Sequence, residues 1–317
     1  SWGVHLPRGG SALLPALARV CAVRGSKLTY HTLPLPERLA REETSYLAMA
    51  LSTGCLELVE HENTASFNAY RTKAAGDHVV RQGGQWAAAE PGMVALAEAI
   101  GTWWKTRPGG GLDVPRAKGV RGLDVVLPAD SGTAALFLAR HAPPDVRIYA
   151  VPCNGNEESL RARMKFLDDR SGATGTFPRV LLPPESHTVP FGKVSKNLLA
   201  AWRDAINSGC FLDLNYGPVA WAAMDARKWQ LSDMDESERD LLYINTGGHE
   251  CLRFQLGRYL RAGFLNRYDV QRKKERHMSP RGDKWYAGQW GVEEILSEAR
   301  RVAMAESGLV HTRDAGL

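Results

Sequence analysis

The sequence of 317 residues has no apolar run that approaches the roughly 20 residues a membrane-spanning helix needs. Its longest apolar stretches, LDVVLP (123–128) and ALFLARH (135–141), have the size of a core strand and a core helix. No membrane span is expected. Cysteine is scarce and dispersed: Cys21, Cys55, Cys153, Cys210 and Cys251 are odd in number and far apart. No CxxC pair or Cys/His cluster offers zinc-ligand spacing, and the histidines form no HExxH pattern, so no metal is expected. Isolated thiols read as buried groups in a reducing compartment rather than as a disulfide framework. A strong excess of one charge is missing too: the net charge is +5.

What is present is ordinary for a globular protein, with 44% hydrophobic and 24% charged residues. One local excess of positive charge, RYDVQRKKERH (267–277), is followed by PRGDKW (280–285). It suits a docking surface for protein subunits of a larger complex; RNA contact through 267–284 is a secondary reading. Trp103, Trp104, Trp285 and Trp290 read as core or interface anchors before they read as stacking platforms for bases. The sequence opens on SWGVHLP rather than on Met. With the basic balance, this predicts a processed mitochondrial protein, with the cytoplasm as the alternative.

Short apolar strands alternate with amphipathic helices, the pattern of an α/β fold. Helices are predicted over 11–25, 36–54, 67–80 and 93–105, and strands over 27–33 and 55–61. The stretch 106–122, rich in Gly, Pro and basic residues, reads as a linker. Strand, turn and helix follow over 123–141, a strand over 146–153 and a helix over 156–168. Residues 170–195 read as loop, 197–209 as a helix stopped by Gly209, and CFLDLNYG (210–217) as a strand. A helix, a strand, a glycine turn and a helix complete the pattern to about residue 263. Residues 292–307 have helical periodicity within a charged, aromatic tail.

Two strand–turn–helix units can bring backbone N–H groups to an anion: VVLPADSGTAAL (125–136) and LLYINTGGHECL (241–252). In order along the chain, LDVVLPADSGTAAL, VRIYAVPCNGNEESL, FLDLNYGPVAWAAM and LYINTGGHECL resemble segments of the fold type II pyridoxal-phosphate-dependent enzymes. The branch they are most similar to is that of D-cysteine desulfhydrase and 1-aminocyclopropane-1-carboxylate (ACC) deaminase. Upstream, GCLELVEHENTASFNAYRTKAA (54–75) resembles the family segment that binds the substrate carboxylate, and PGMVALAEAI (91–100) a later helix. The resemblance implies a tryptophan synthase β-like three-layer α/β/α fold with a reduced small domain. It sets 1–44 and 101–265 in a large α/β domain, 45–100 in the small domain, and 266–317 in a charged C-terminal extension. The implied cleft residues are Ser66, Asn68, Ser131, Gly132, Thr133, Thr246, Gly247 and Gly248.

The family's chemistry needs a Schiff-base lysine. Counting back from Gly54 to the family's lysine position lands near Leu39, and no lysine occurs between Lys27 and Lys73. A second register, aligning TASFNAYR with the family's TGSFKDR loop, places Asn68 there. Arg38 and Arg41 cannot substitute, because a guanidinium stays protonated. The phosphate turn carries Asp130 where a phosphate would sit close by, and Pro218 replaces another family lysine. These departures imply a non-catalytic relative with no catalytic residue and no cofactor, acting as a structural or interaction subunit of a larger assembly such as a mitochondrial respiratory complex or ribosome. The alternative is an active pyridoxal-phosphate-dependent lyase or deaminase on small amino acids such as D-cysteine, using Lys73 or another lysine.

Overall fold

Strands of Leu, Val, Tyr and Thr form where β-branched and aromatic residues fit a pleated surface. The computed structural model describes residues 2–5, 13–34, 45–67, 79–106, 122–233, 239–247 and 252–265. A first sheet contains β1 (Trp2–His5), β2 (Leu28–Thr32), β3 (Leu56–Glu60) and β4 (Val79–Arg81), in the order β3-β2-β1-β4 and all parallel. Parallel neighbours need crossovers. The chain supplies them with α1 (Leu13–Val23) between β1 and β2, and α2 (Tyr46–Leu51) between β2 and β3. Leu14, Ala18 and Cys21 of α1 and Leu47 and Ala50 of α2 pack on Leu28 and Tyr30 of β2 to form this unit's core.

The second unit begins with α3 (Glu90–Thr106). It continues through β5 (Gly122–Ala129), α4 (Thr133–His141), β6 (Val146–Pro152), α5 (Glu157–Asp168) and β7 (Arg179–Val180). Then come α6 (Lys196–Asn207), α7 (Gly217–Asp233), β8 (Arg239–Tyr243) and α8 (Leu252–Arg261). Its sheet is parallel, in the order β7-β6-β5-β8. Every residue of β5 is buried, as befits a central parallel strand covered on both faces. On one face Leu123, Val125, Leu127, Ile148 and Ala150 meet Trp104 of α3, Leu136 of α4 and Leu160 of α5. On the other, Val126, Tyr149 and Val151 meet Leu198 of α6 and Val219 and Ala223 of α7. The second unit is therefore a three-layer α/β/α structure. Trp104 is a core residue, its Nε1 donating to Asp145 Oδ2 at 2.9 Å.

Two buried arginines tie neighbouring elements together within their layers. Arg239 at the start of β8 donates to Asp124 Oδ1 of β5 at 2.7 Å and to the carbonyls of Leu123 and Asp145. Arg140 of α4 donates to Glu90 of α3, to Asp168 at the end of α5 and to the Ser171 carbonyl, with a side chain only 2% exposed. Among the described residues, no helix is long and apolar enough to cross a membrane.

Several expected elements differ. Residues 79–81, of which 79–80 were read as the end of a helix, form strand β4, and Trp2–His5, assigned no element, forms β1. CFLDLNYG is not a strand. Asp213 instead accepts from the N–H groups of Asn215, Tyr216 and Gly217, which turns the chain into α7. The first sheet pairs β1 and β2 with β3 and β4, so residues of 1–44, grouped above with the large domain, share their sheet with residues of 45–100. The expected linker is outside the described residues over 107–121, as are the tail 266–317, residues 36–44 of the predicted helix 36–54 and residues 68–78 of the predicted helix 67–80.

Candidate functional site

The carboxyl ends of β5, β6 and β8 point to one edge of the second sheet, where open parallel sheets place their ligands. After β5 the chain turns through Asp130, Ser131 and Gly132 into α4. Gly132 has φ +79°, and a Cβ there would collide with Met164 of α5. Glycine is thus required by both the backbone and the packing. The Ser131 hydroxyl donates to the Gly83 carbonyl at 3.0 Å and lies 2.9 Å from Thr133 Oγ1. Gln85 Nε2 donates to the Ser131 carbonyl at 3.3 Å, so the loop after β4 closes over the turn. A Cβ on Gly83 would lie 2.5 Å from Ser131 Oγ, which explains that glycine of RQGGQ, while the next, Gly84, has open space but a φ of +65°.

Beside this turn, Asp130 accepts from Asn154 Nδ2 at 3.0 Å and from the Tyr216 hydroxyl at 3.5 Å. Burial, then the Asp130 and Asp213 carboxylates, push the Tyr216 hydroxyl far above the usual phenol range and keep it a neutral donor. Cys153, at the end of β6, is also pushed far up, chiefly by burial. It is therefore an unreactive thiol at neutral pH. Tyr243 is shifted the same way by burial, and its hydroxyl has no hydrogen-bond partner among the described residues.

The structure brings only part of the expected cleft together. Ser131, Gly132 and Thr133 form the turn. Thr246 and Gly247 follow β8 at the same sheet edge, three and four residues beyond the last β5–β8 pair, Val126 with Tyr243. Gly247 has φ +89° and its N–H donates to Asn245 Oδ1. Ser66 follows β3 in the first sheet. Its hydroxyl donates to the Asn63 carbonyl and accepts from the Asn63 N–H, while Asn63 Oδ1 caps the Ser66 N–H. It thus serves as a local cap. Asn68, Lys73 and Gly248 lie outside the described residues. Sequence reasoning missed Gly83, Gln85, Asn154 and Tyr216. The adjacent glycines after a strand were the available signal for the first two.

No family model and no curated protein sequence matches the chain. Solved structures do. An ACC deaminase homologue is similar with a TM-score of 0.61 and 18% identity, over 84% of this chain and 79% of that one. Holo diaminopropionate ammonia lyase of Escherichia coli is similar with a TM-score of 0.51 and 11% identity, over 84% and 72%. Cysteine synthase of Entamoeba histolytica is similar with a TM-score of 0.51 and 12% identity, over 86% and 73%.

These neighbours correct one expectation, that the chain takes no cofactor. They are pyridoxal-phosphate-dependent enzymes, and the described residues hold no sign that the cofactor has been lost. The phosphate end of such a group suits what is present. The turn combines the N-terminal N–H groups of α4, the Ser131 and Thr133 hydroxyls, and a glycine that a side chain cannot replace. The carboxylate of Asp130 is engaged by two donors rather than left bare. For the aldehyde end, Lys27, Lys105, Lys165, Lys193 and Lys196, the lysines with described side chains, are all exposed. Parallel sheets in two units, a glycine-dependent turn at the carboxyl edge and these neighbours agree: the chain has the tryptophan synthase β-like fold of the fold type II pyridoxal-phosphate-dependent enzymes.

Proposed function

We propose that this chain is a non-catalytic protein built on that fold, an interaction subunit whose cleft holds pyridoxal phosphate by its phosphate alone. The observation that carries the reading is the absence of lysine between Lys27 and Lys73, the span to which the resemblance assigns the reactive amine. The exposure of the described lysines supports it, because an amine that attacks an aldehyde at neutral pH must shed its proton, which burial promotes. Pyridoxal phosphate supplies an electrophilic aldehyde and an electron sink when bound. In this reading Ser131, Thr133 and the first turn of α4 bind the phosphate, while Asn154 and Tyr216 hold Asp130 beside it. Partner docking is assigned to 266–317, whose RYDVQRKKERH run and helical period at 292–307 suit a protein surface.

The test is trapping. The purified chain is incubated with pyridoxal phosphate, reduced with borohydride and mapped by mass spectrometry. The expected result is cofactor that binds in equilibrium dialysis, is displaced by inorganic phosphate and labels no lysine stoichiometrically. One lysine labelled in full overturns the reading. It would favour the alternative, a lyase or deaminase on small amino acids, which the enzymatic nature of the structural neighbours supports. Docking is tested by comparing what co-purifies with the full chain and with a chain ending at Leu265. An unchanged set of partners removes the role of 266–317.

A further inference from the structure

The turn assigned to a phosphate is already bonded to another part of the chain. A serine hydroxyl has one proton to donate. Ser131 spends it on the Gly83 carbonyl at 3.0 Å. With that proton committed, the 2.9 Å contact between Ser131 and Thr133 has the Thr133 hydroxyl as donor and Ser131 Oγ as acceptor. The Thr133 N–H, 3.4 Å away, is aimed at Ser131 Oγ as well. The Gly83 carbonyl oxygen thus holds the acceptor position that an oxygen of a bound anion needs. Two bonds from Gln85 keep the loop there. Its Nε2 donates to the Ser131 carbonyl at 3.3 Å and to the Arg163 carbonyl of α5 at 3.4 Å. Gln85 therefore grips backbone on both sides of the turn and touches none of the hydroxyls or N–H groups assigned to the phosphate. The loop springs from β4 of the first sheet, whereas the turn follows β5 of the second.

We propose that the Gly83 carbonyl competes with the phosphate for the Ser131 proton, and that Gln85 is the positioning residue that sets the outcome. The inference rests on the reading that Ser131 binds the phosphate. The competition is one of count. A phosphate dianion brings only acceptor oxygens, and so does a carbonyl, while Ser131 has one proton for both. For Ser131 to donate to the phosphate, its hydroxyl leaves Gly83 and the 83–85 loop lifts. Gly83 and Gly84, at φ +66° and +65°, are the residues that can absorb that backbone change, since glycine moves between left- and right-handed regions without a Cβ penalty. The affinity of a ligand that needs a minor state falls in proportion to that state's population. The closed loop therefore weakens phosphate binding, and the two Gln85 bonds set by how much. Phosphate seated at the turn in turn releases a segment of the first unit.

Gln85→Leu keeps the bulk of the side chain and removes both donors. Gly83→Ala sets a methyl against Ser131 Oγ and pushes the loop off. In equilibrium dialysis of the full chain, both variants should bind inorganic phosphate and pyridoxal phosphate about fivefold tighter or more, with unphosphorylated pyridoxal unchanged. A role in stability alone would lower the unfolding midpoint and give no tighter binding. Hydrogen exchange on the wild-type chain reads the loop directly and decides if a variant does not fold: saturating inorganic phosphate should speed exchange across 82–86. Equal or weaker phosphate binding by folded Gln85→Leu overturns the inference, as does exchange that phosphate slows or leaves unchanged. If neither wild type nor variant binds phosphate, the reading of the cleft falls and this one with it. Binding that is equal in wild type and variant removes this one alone.

Discussion

Gly132→Ala is the substitution on which the description of the cleft turn rests. The position has φ +79°, and an added Cβ would meet Met164 and Leu160 of α5. Two costs follow. Holding a residue with a Cβ in the left-handed region costs about 1–2 kcal/mol. Forcing a methyl into a closed interior costs about 1–3 kcal/mol. The sum, about 2–5 kcal/mol, is a large share of the roughly 5–15 kcal/mol that holds a domain folded. The two terms separate in a double-mutant cycle. Met164→Ala alone opens a cavity in the cluster it shares with Leu160 and Leu136 and should cost about 2–5 kcal/mol. In the double variant the new methyl enters that space. The steric part of the Gly132→Ala cost should vanish while the backbone part stays, giving a favourable coupling of about 1–3 kcal/mol. Urea unfolding of the four proteins, at equal m-values, measures it. A Gly132→Ala variant within about 0.5 kcal/mol of wild type, or additivity between the two substitutions, would refute the argument that packing and backbone together shape this turn.

Asp124→Asn leaves the buried Arg239 guanidinium without its anion, though two carbonyls remain; a loss of about 3 kcal/mol in urea unfolding is expected, and replacing both residues by apolar ones should restore much of it. Burial works to raise the Asp168 and Glu90 carboxyls, but hydrogen bonds and charge from their partners, Arg140 among them, outweigh it and hold both below the ordinary value. Depressed carboxyls add stability above about pH 4 and lose it as pH falls through their lowered values, so Arg140→Met should flatten the acid limb of a stability–pH curve. Asp130→Asn removes a carboxylate beside the phosphate turn and should tighten pyridoxal phosphate at least tenfold in equilibrium dialysis while leaving unphosphorylated pyridoxal unchanged; equal affinities would place the phosphate elsewhere. Native Cys153 should resist iodoacetamide at neutral pH, and Cys210, pushed up to about 11 by burial, should react slowly; fast labelling of Cys153 in a peptide map would contradict its burial.

Elements with a strong period were legible and short ones were not. LDVVLPA reads as a central strand because it carries an apolar run with no exposed face, and every residue of β5 is buried. The helix 156–168 announces itself through Asn156 and Ser159, which form a reciprocal capping box. By contrast β1 has four residues, and its strand character comes from pairing with Leu28–His31 and Val79–Arg81, far along the chain. A local reading cannot see that. CFLDLNYG misled for a different reason. Leu212 and Leu214 flank a polar residue, as apolar positions of a strand would, but the buried Asp213 between them takes three backbone N–H groups and bends the chain. A polar residue that satisfies the backbone locally overrides a two-residue period.

The cleft divides along the same line. Ser131, Gly132 and Thr133 were legible because a glycine between a buried strand and a helix has a local cause. Gly83 and Gln85 were not, since their role is contact with Ser131 more than forty positions away. The division bears on how a fold outlives a chemistry. What shapes the turn is β5 buried on both faces, Met164 packed on Gly132 and the Arg140 bonds that join α3, α4 and α5. Each of these acts through burial or through groups remote from a reactive amine. Replacing a lysine at the cleft would remove a nucleophile and leave those energies untouched, whereas losing Gly132 would remove the turn itself. A chain under no demand for the amine is therefore expected to keep the glycines, the hydroxyls and the strand before them, and to drift first at the lysine.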